Sequence, residues 1–447
     1  MEINLKYKDE IKNRLCKAID DKSDQLIELT KSILNNPETG FKEFQTSKLV
    51  SDQFKALGIP TIENIAITGV KGVINSDVSG PTIAVIGELD SLKVYGHPHA
   101  DKKTSAAHAC GHHCQIGMMI AVATAFKVSG VLDYLSGNLV FIAVPAEEYI
   151  EIEYRDNLRK EGKIEFLGGK PEFIRLGAFD DVDIAMMTHT ADSNQPGKIA
   201  FGGTNNGIVA KRIKFIGKAA HAGGAPHDGI NALNAANIAL SAIHAQRETF
   251  REKDTIRIHP IITNGGLAVS SVPSEVTMET YVRGASIEAF LSASDKVDRS
   301  LKAGALAVGG AVEITTLPGY LPIKSNETIL EHYEGNAKTL VGENNVKRLT
   351  HRTSSTDMGD LSQLMPIIHP YVVAATGTSH GDNYLVKDYE LGVITGAKAM
   401  AMTVVDLLMD GGELSHKVIQ EYDPPLNKST YIELMRGMFK NDTFDYR

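Results

Sequence analysis

Four short apolar runs limit what this chain can fold into. They are Thr82-Ile83-Ala84-Val85-Ile86-Gly87, Leu139-Val140-Phe141-Ile142-Ala143-Val144, Val182-Asp183-Ile184-Ala185-Met186-Met187 and Tyr371-Val372-Val373-Ala374-Ala375. Each has the length and branching of a buried strand, and helical stretches alternate with them. Strands that are apolar on both faces need cover on both, so the expected class is α/β, a mixed sheet with helices on each face. The residues just after the runs are as telling: Glu88-Leu89-Asp90, Pro145-Ala146-Glu147-Glu148, Thr188-His189 and Thr376-Gly377-Thr378-Ser379-His380. All four end in groups that bind metals, and open α/β sheets bind ligands beyond the carboxyl ends of their strands. Any one of these groups would serve equally well as a helix cap. Four together argue for a shared site.

The segment His108-Ala109-Cys110-Gly111-His112-His113-Cys114-Gln115 holds two of the three cysteines and three of the fifteen histidines. Thiolate and imidazole donors two residues apart, Cys110 and His112, suit Zn²⁺ or a related divalent ion. The plain alternative is a buried cysteine beside satisfied core histidines. With Glu148, His189 and His380 the set reaches five donors, more than one tetrahedral catalytic ion uses, which favours two metals. Glu147 is read as the general base and Glu148 as a ligand, with the reverse assignment left open. Asp90 is a candidate for orienting a ligand histidine, Glu88 for ligation in its own right, and both for simple helix capping. His221 lies in the glycine-rich Gly217-Lys218-Ala219-Ala220-His221-Ala222-Gly223-Gly224 and reads on its own as a surface histidine. Arg283, at a strand end, either grips a substrate carboxylate or faces solvent. Asn264 is a further candidate for substrate contact.

At 447 residues the chain exceeds what one core supports. Helices are expected over about 10–34 and 42–57, broken by Asn35-Asn36-Pro37 and Gly58-Ile59-Pro60. Between about 202 and 317 the pattern becomes β-α-β-β-α-β with alternating strands, a ferredoxin-like α+β domain inserted into the larger one. The expected division is 1–201 and 318–447 for the catalytic domain and 202–317 for the insert. The charged stretch 149–171 reads as a peripheral insertion.

The 46 basic and 55 acidic residues give a net charge of −9, against a nucleic-acid or anionic-membrane partner. The N-terminus has no apolar signal region, and no stretch is expected to reach the roughly 18 apolar residues that cross a bilayer. A cytoplasmic location follows by default. Three cysteines form no disulfide framework, and a reducing compartment would keep Cys110 available.

Glu88-Leu89-Asp90-Ser91-Leu92, His108-Ala109-Cys110-Gly111-His112, Pro145-Ala146-Glu147-Glu148, Ser379-His380, Asn36-Pro37-Glu38-Thr39-Gly40-Phe41-Lys42-Glu43 and His221-Ala222-Gly223-Gly224-Ala225-Pro226 resemble the co-catalytic metallopeptidase and amidohydrolase family. That family includes the aminoacylases, plant auxin-conjugate hydrolases and aminobenzoyl-glutamate hydrolase, and the likeness covers nearly the whole chain. It implies a zinc-exopeptidase-like catalytic domain and an inserted domain that dimerises and acts as a lid. It implies two divalent ions per subunit, Zn²⁺ or Mn²⁺, on Cys110, His112, Glu148, His189 and His380, with Glu147 as base. It also implies that His221 reaches the neighbouring subunit's site to contact substrate or the oxyanion. Many members continue Cys-Gly-His-Asp-Gly-His, whereas this chain has His113, Cys114 and Gln115.

The expected function is a metal-dependent amidohydrolase or peptidase that cleaves N-acyl amino acids, aminobenzoyl-glutamate-like conjugates or dipeptides through a metal-activated water. The altered motif motivates a second reading, a catalytically silent metal- or ligand-binding homologue. A nucleotide-dependent α/β enzyme is disfavoured because no glycine-rich phosphate loop follows the first strand.

Overall fold

The computed structural model describes residues 2–447, which form two compact units. The first takes the chain up to Gly203 together with Lys324–Thr350 and Leu361–Pro425; the second takes Thr204–Ile323, His351–Asp360 and Leu426–Arg447.

The first unit is built on a mixed six-stranded sheet whose strands, in spatial order, are Thr61–Ile65, Gly69–Asn75, Asn138–Val144, Thr82–Glu88, Ile184–Met186 and Ile367–Ile368. Thr82–Glu88 is buried along its whole length and runs parallel to both neighbours, with Val85 opposite Phe141 and Met186. Its uninterrupted apolar run is what such a central position demands. Helix His112–Val128, apolar on nearly every side, packs against this strand, and its burial is almost complete.

Three expectations are corrected here. The fourth apolar run, Tyr371–Thr376, belongs to a separate sheet, where it pairs in parallel with His189–Asp192 and places Tyr371 opposite His189. The third run forms only the short strand Ile184–Met186, and a new strand, His189–Asp192, starts just beyond it in the other sheet. The long N-terminal helix is two helices, Glu2–Asp20 and Ser23–Leu34. One helical stretch, Glu390–Leu408, is long and apolar enough to cross a membrane, contrary to expectation, but 89% of it is buried inside the protein, as befits a core helix.

The second unit follows the β-α-β-β-α-β order: Gly207–Ile216, helix Ala232–Ala245, Ile261–Asn264 with the short Arg257–Ile258, Glu275–Gly284, helix Ile287–Val308 and Ala311–Pro318. Its antiparallel sheet alternates buried and half-exposed residues, the one-sided pattern that two covering helices require. Both helices begin on side-chain caps: Asn231 accepts from the Leu233 and Asn234 amides, and Ser286 from Ala289. The chain after residue 318 does not all return to the first unit. Lys440–Asp445 pairs antiparallel with Ala311–Pro318, Ile314 facing Asp442, and so covers what would otherwise be an open edge.

Candidate metal centre

The first unit gathers four strand ends and one helix start around a single point. Glu88 closes its strand, Glu147 and Glu148 follow Asn138–Val144, His189 opens a strand, His380 follows Tyr371–Thr376, and His112 begins its helix. Donor atoms of Cys110, His112 and His189, of Cys110, Glu148 and His380, and of Glu88, His112 and Glu147 each lie within 4.8 Å of one another. The first set shares Cys110 with the second and His112 with the third, so the three describe one centre.

Gly111 makes the pairing of Cys110 with His112 possible. Its φ of +90° is in the left-handed region, and a Cβ there would sit 1.8 Å from Thr190 Oγ1. Cys110 Sγ lies 3.5 Å from His189 Nε2. Glu148 Oε1 lies 3.4 Å from His380 Nε2 and 3.9 Å from His112 Nε2. Glu147 Oε2 is also 3.9 Å from His112 Nε2. Asp90 ties the two halves together. Its backbone oxygen and Oδ1 stand 3.0 and 3.3 Å from His112 Nδ1, and its Oδ2 accepts the Glu148 amide at 2.9 Å. The next element after Asp90 is the short strand Leu92–Lys93, so no helix follows for it to cap.

Two buried atoms aimed at the centre lack hydrogen bonds: Glu148 Oε1, and His112 Nε2, which is 3.1 Å from Glu88 Oε2 without bonding it. Buried polar atoms are ordinarily paired, and a cation satisfies a lone-pair nitrogen and a carboxylate oxygen together. Burial pushes the Cys110 thiol well up, reinforced by Glu148. Burial alone would lower His112, but Glu88, Cys110 and Asp90 raise it well above its ordinary value. A crowd of acids around one imidazole is a site short of positive charge, which a divalent ion supplies. The thiolate, imidazole and carboxylate set therefore fits Zn²⁺ or a related ion.

Several residues that build this centre were not picked out in the sequence. Glu88, an uncertain ligand there, is engaged by its own partners: Lys170 Nζ at 2.5 Å, and Gln115, whose amide nitrogen donates to Oε2 at 2.8 Å while its oxygen accepts the Glu88 amide at 3.1 Å. Burial would raise the Glu88 carboxyl, but Lys170 and the histidines bring it down to about 2. Gln115 thus has a task in the altered motif. Cys114 is a buried apolar filler near Gly392. His113 turns to a different cavity.

The stretch 149–171 is not peripheral. It supplies Lys170 and also Arg155, whose fully buried guanidinium donates to the backbone oxygens of Ala146 at 3.0 Å, Leu167 at 2.9 Å and Glu148. Ala146, held at a φ of +57°, is fixed further by Glu43, which accepts its amide at 2.8 Å. Strained backbone beside the paired carboxylates Glu147 and Glu148 persists only where the surroundings impose it.

His221, Arg283 and Asn264 belong to the second unit. His221 is exposed, and its Nδ1 accepts the Gly223 and Gly224 amides at 3.2 and 2.9 Å. With Nδ1 an acceptor, the neutral ring carries its proton on Nε2. Arg283 is anchored: Nε donates to His259 at 3.1 Å and one terminal nitrogen to Ser355 at 2.8 Å, over the Tyr281 ring. Exposed Asn264 accepts the Gly266 amide at 3.1 Å.

A mixed sheet with converging thiolate, imidazole and carboxylate donors beside a further glutamate defines a metal-dependent hydrolase of carbon–nitrogen bonds. Residues 204–307 match the peptidase dimerisation domain. The chain is 27% identical to the mouse (Mus musculus) Xaa-Arg dipeptidase over 89% of both proteins. It is 26% identical to a p-aminobenzoyl-glutamate hydrolase chain of Escherichia coli, over 89% of this protein and 92% of that one. A dinuclear metal binding peptidase of the M20 family from Bacillus subtilis shares the fold, with a TM-score of 0.61 at 20% identity over 86% of this chain and 98% of that one. Over most of its length the chain is similar to members of the co-catalytic metallopeptidase and amidohydrolase family.

Proposed function

We propose that the chain hydrolyses the amide bond of N-acyl amino acids, aminobenzoyl-glutamate-like conjugates or dipeptides. The observation that carries this is the convergence of three donor sets on Cys110 and His112 with Glu147 inside one of them. Cys110, His112, Glu148, His189 and His380 would hold two divalent ions, Zn²⁺ or Mn²⁺. When bound, such ions acidify water and polarise the scissile carbonyl. Glu147 takes the water's proton and returns it to the leaving amine, while Asp90 holds His112 and the Glu148 backbone in register. The particular substrates are suggested by the dipeptidase and aminobenzoyl-glutamate hydrolase likenesses. The peptidase dimerisation domain supports a homodimer. In it His221, with its Nε2 proton, contacts substrate or the oxyanion in the neighbouring subunit, and Arg283 and Asn264 bind the substrate's polar end. We place the enzyme in the cytoplasm, where Cys110 stays reduced.

The test is metal analysis coupled to a panel of N-acyl amino acids, aminobenzoyl-glutamate and dipeptides assayed with Mn²⁺ or Zn²⁺ restored. About two equivalents of metal per subunit and hydrolysis of at least one class are expected. Full metal occupancy with no hydrolysis of any member would leave the silent binding homologue as the better reading. A monomer by light scattering would remove the role given to His221.

A further inference from the structure

His113, the first residue to depart from the family motif, lines a second cavity of about 270 Å³ in the first unit. His97, His108, Tyr384 and Tyr389 line it too, and its charged residues are Lys31 and Lys387; no carboxylate or thiol lines it. The four histidines of the lining, His97, His99, His108 and His113, are not equivalent. His97 is satisfied, its Nε2 2.7 Å from the Tyr384 backbone oxygen and its Nδ1 accepting the His99 amide at 3.1 Å. His108 and His113 are 2% and 1% exposed, with ring centroids 5.2 Å apart. Both ring nitrogens of His108 and Nδ1 of His113 lack a hydrogen-bond partner, while His113 Nε2 stands 3.3 Å from the Tyr389 hydroxyl.

A buried polar group left unpaired is destabilising, so two adjacent imidazoles in this state call for something that pairs with them. A metal cation is the poorer candidate. Among the described residues, every set of three donors close enough to share an ion lies at the other centre. Lys31 and Lys387 repel a cation and attract an anion. The cavity also abuts the first turn of helix His112–Val128, where the helix dipole favours negative charge. Leu34, Pro98, Leu385 and Val386 supply apolar wall, and Asn35 and His99 complete the lining. We propose that this cavity binds a small organic monocarboxylate, its oxygens accepting N–H bonds from His108 and His113 and its apolar body lying against Leu34 and Val386. This site is independent of the substrate assigned to the metal centre.

The probe is 4-bromobenzoate, titrated calorimetrically into the metal-loaded enzyme and located in its crystals by the bromine anomalous signal. The expected result is a bromine peak beside His108 and His113, with affinity lost in His113→Asp, which places a like charge against the carboxylate. Lys387→Glu, at an exposed position, should weaken binding by about fivefold, the scale of a single solvent-exposed charge contact. It keeps the test intact if His113→Asp folds poorly. Bromine found only at the Cys110 and Glu148 centre would overturn the proposal, as would binding equal in wild type and Lys387→Glu. Zn²⁺ bound by His108 and His113 with no bromobenzoate there would overturn it in favour of a cation site.

Discussion

The metal centre around His112 and the cavity around His113 are built from adjacent residues in one helical turn, yet their electrostatics are opposite. Glu88, Cys110 and Asp90 overcome burial and drive His112 well above the ordinary imidazole range. Around His113 burial acts with the neighbouring His112, His99 and His97, and together they bring it down to about 3. His108 is lowered in the same way, by burial and then by His113. The residue type is the same and the neighbouring charge differs. One cavity is an excess of acid waiting for a cation; the other is neutral imidazole beside lysines. The histidine-rich segment therefore does not encode a single metal site, and its function is decided by what the rest of the fold sets against each ring.

The sharpest way to break this contrast is to remove the acid whose work is chemical. Glu147→Gln should lower turnover by about 10²- to 10⁴-fold, the usual scale for general acid–base catalysis, with bound metal retained. Steady-state kinetics with metal analysis checks it, and unchanged turnover would sink the assignment. Next in size is the ion pair that keeps the centre's acids charged. Lys170 and Glu88 are both buried, and Lys170→Met leaves Glu88 uncompensated, at a cost of about 3–5 kcal/mol in the metal-free protein. Urea denaturation should show that loss, and the double variant Lys170→Met/Glu88→Gln should recover more than half of it. No recovery would mean that Lys170 serves mainly as packing. A smaller effect is expected at Asp90, which acts only through His112 and the Glu148 amide. Asp90→Asn should weaken metal affinity by about 10- to 100-fold, measured by competition with a chelator. An unchanged affinity would separate Asp90 from the ligand set.

The parts of this arrangement that were legible in the sequence are those with a local signature. Thr82–Glu88 and Asn138–Val144 are continuous apolar runs, and a strand buried on both faces has no other way to be written. Helix Ile287–Val308 falls where its pattern put it, between the Ser286 cap and left-handed Gly309. That Cys110, His112, Glu148, His189 and His380 come together was legible because metal-binding side chains are few residue types and these stand at strand and helix ends. Lys440–Asp445 was not, because Lys-Asn-Asp-Thr-Phe-Asp is an exposed edge strand with almost no apolar content. Arg155 and Lys170 were hidden for a related reason. A charged residue in a charged stretch reads as solvated, and what buries Lys170 is Glu88, 82 positions earlier.

Glu43 offers the finest discrimination, because it couples the metal centre's support to pH without touching the metal. It is fully buried, accepts the Thr68 hydroxyl at 2.7 Å and the Ala146 amide at 2.8 Å, and is pushed up to about 8 by burial and by the charge of Asp90. In the unfolded chain its carboxyl titrates near the ordinary glutamate value of about 4.3. The folded protein therefore holds a proton that the unfolded chain releases between those two values. Linkage then makes this contribution to stability fully present below about pH 4.3 and lost as pH rises through about 8. Glu43→Gln, which fixes the side chain in an uncharged form, should flatten the fall of melting temperature between pH 5 and 8 without changing metal content. An identical slope in both proteins would show that Glu43 stays ionised, held by its two donors and not by its burial.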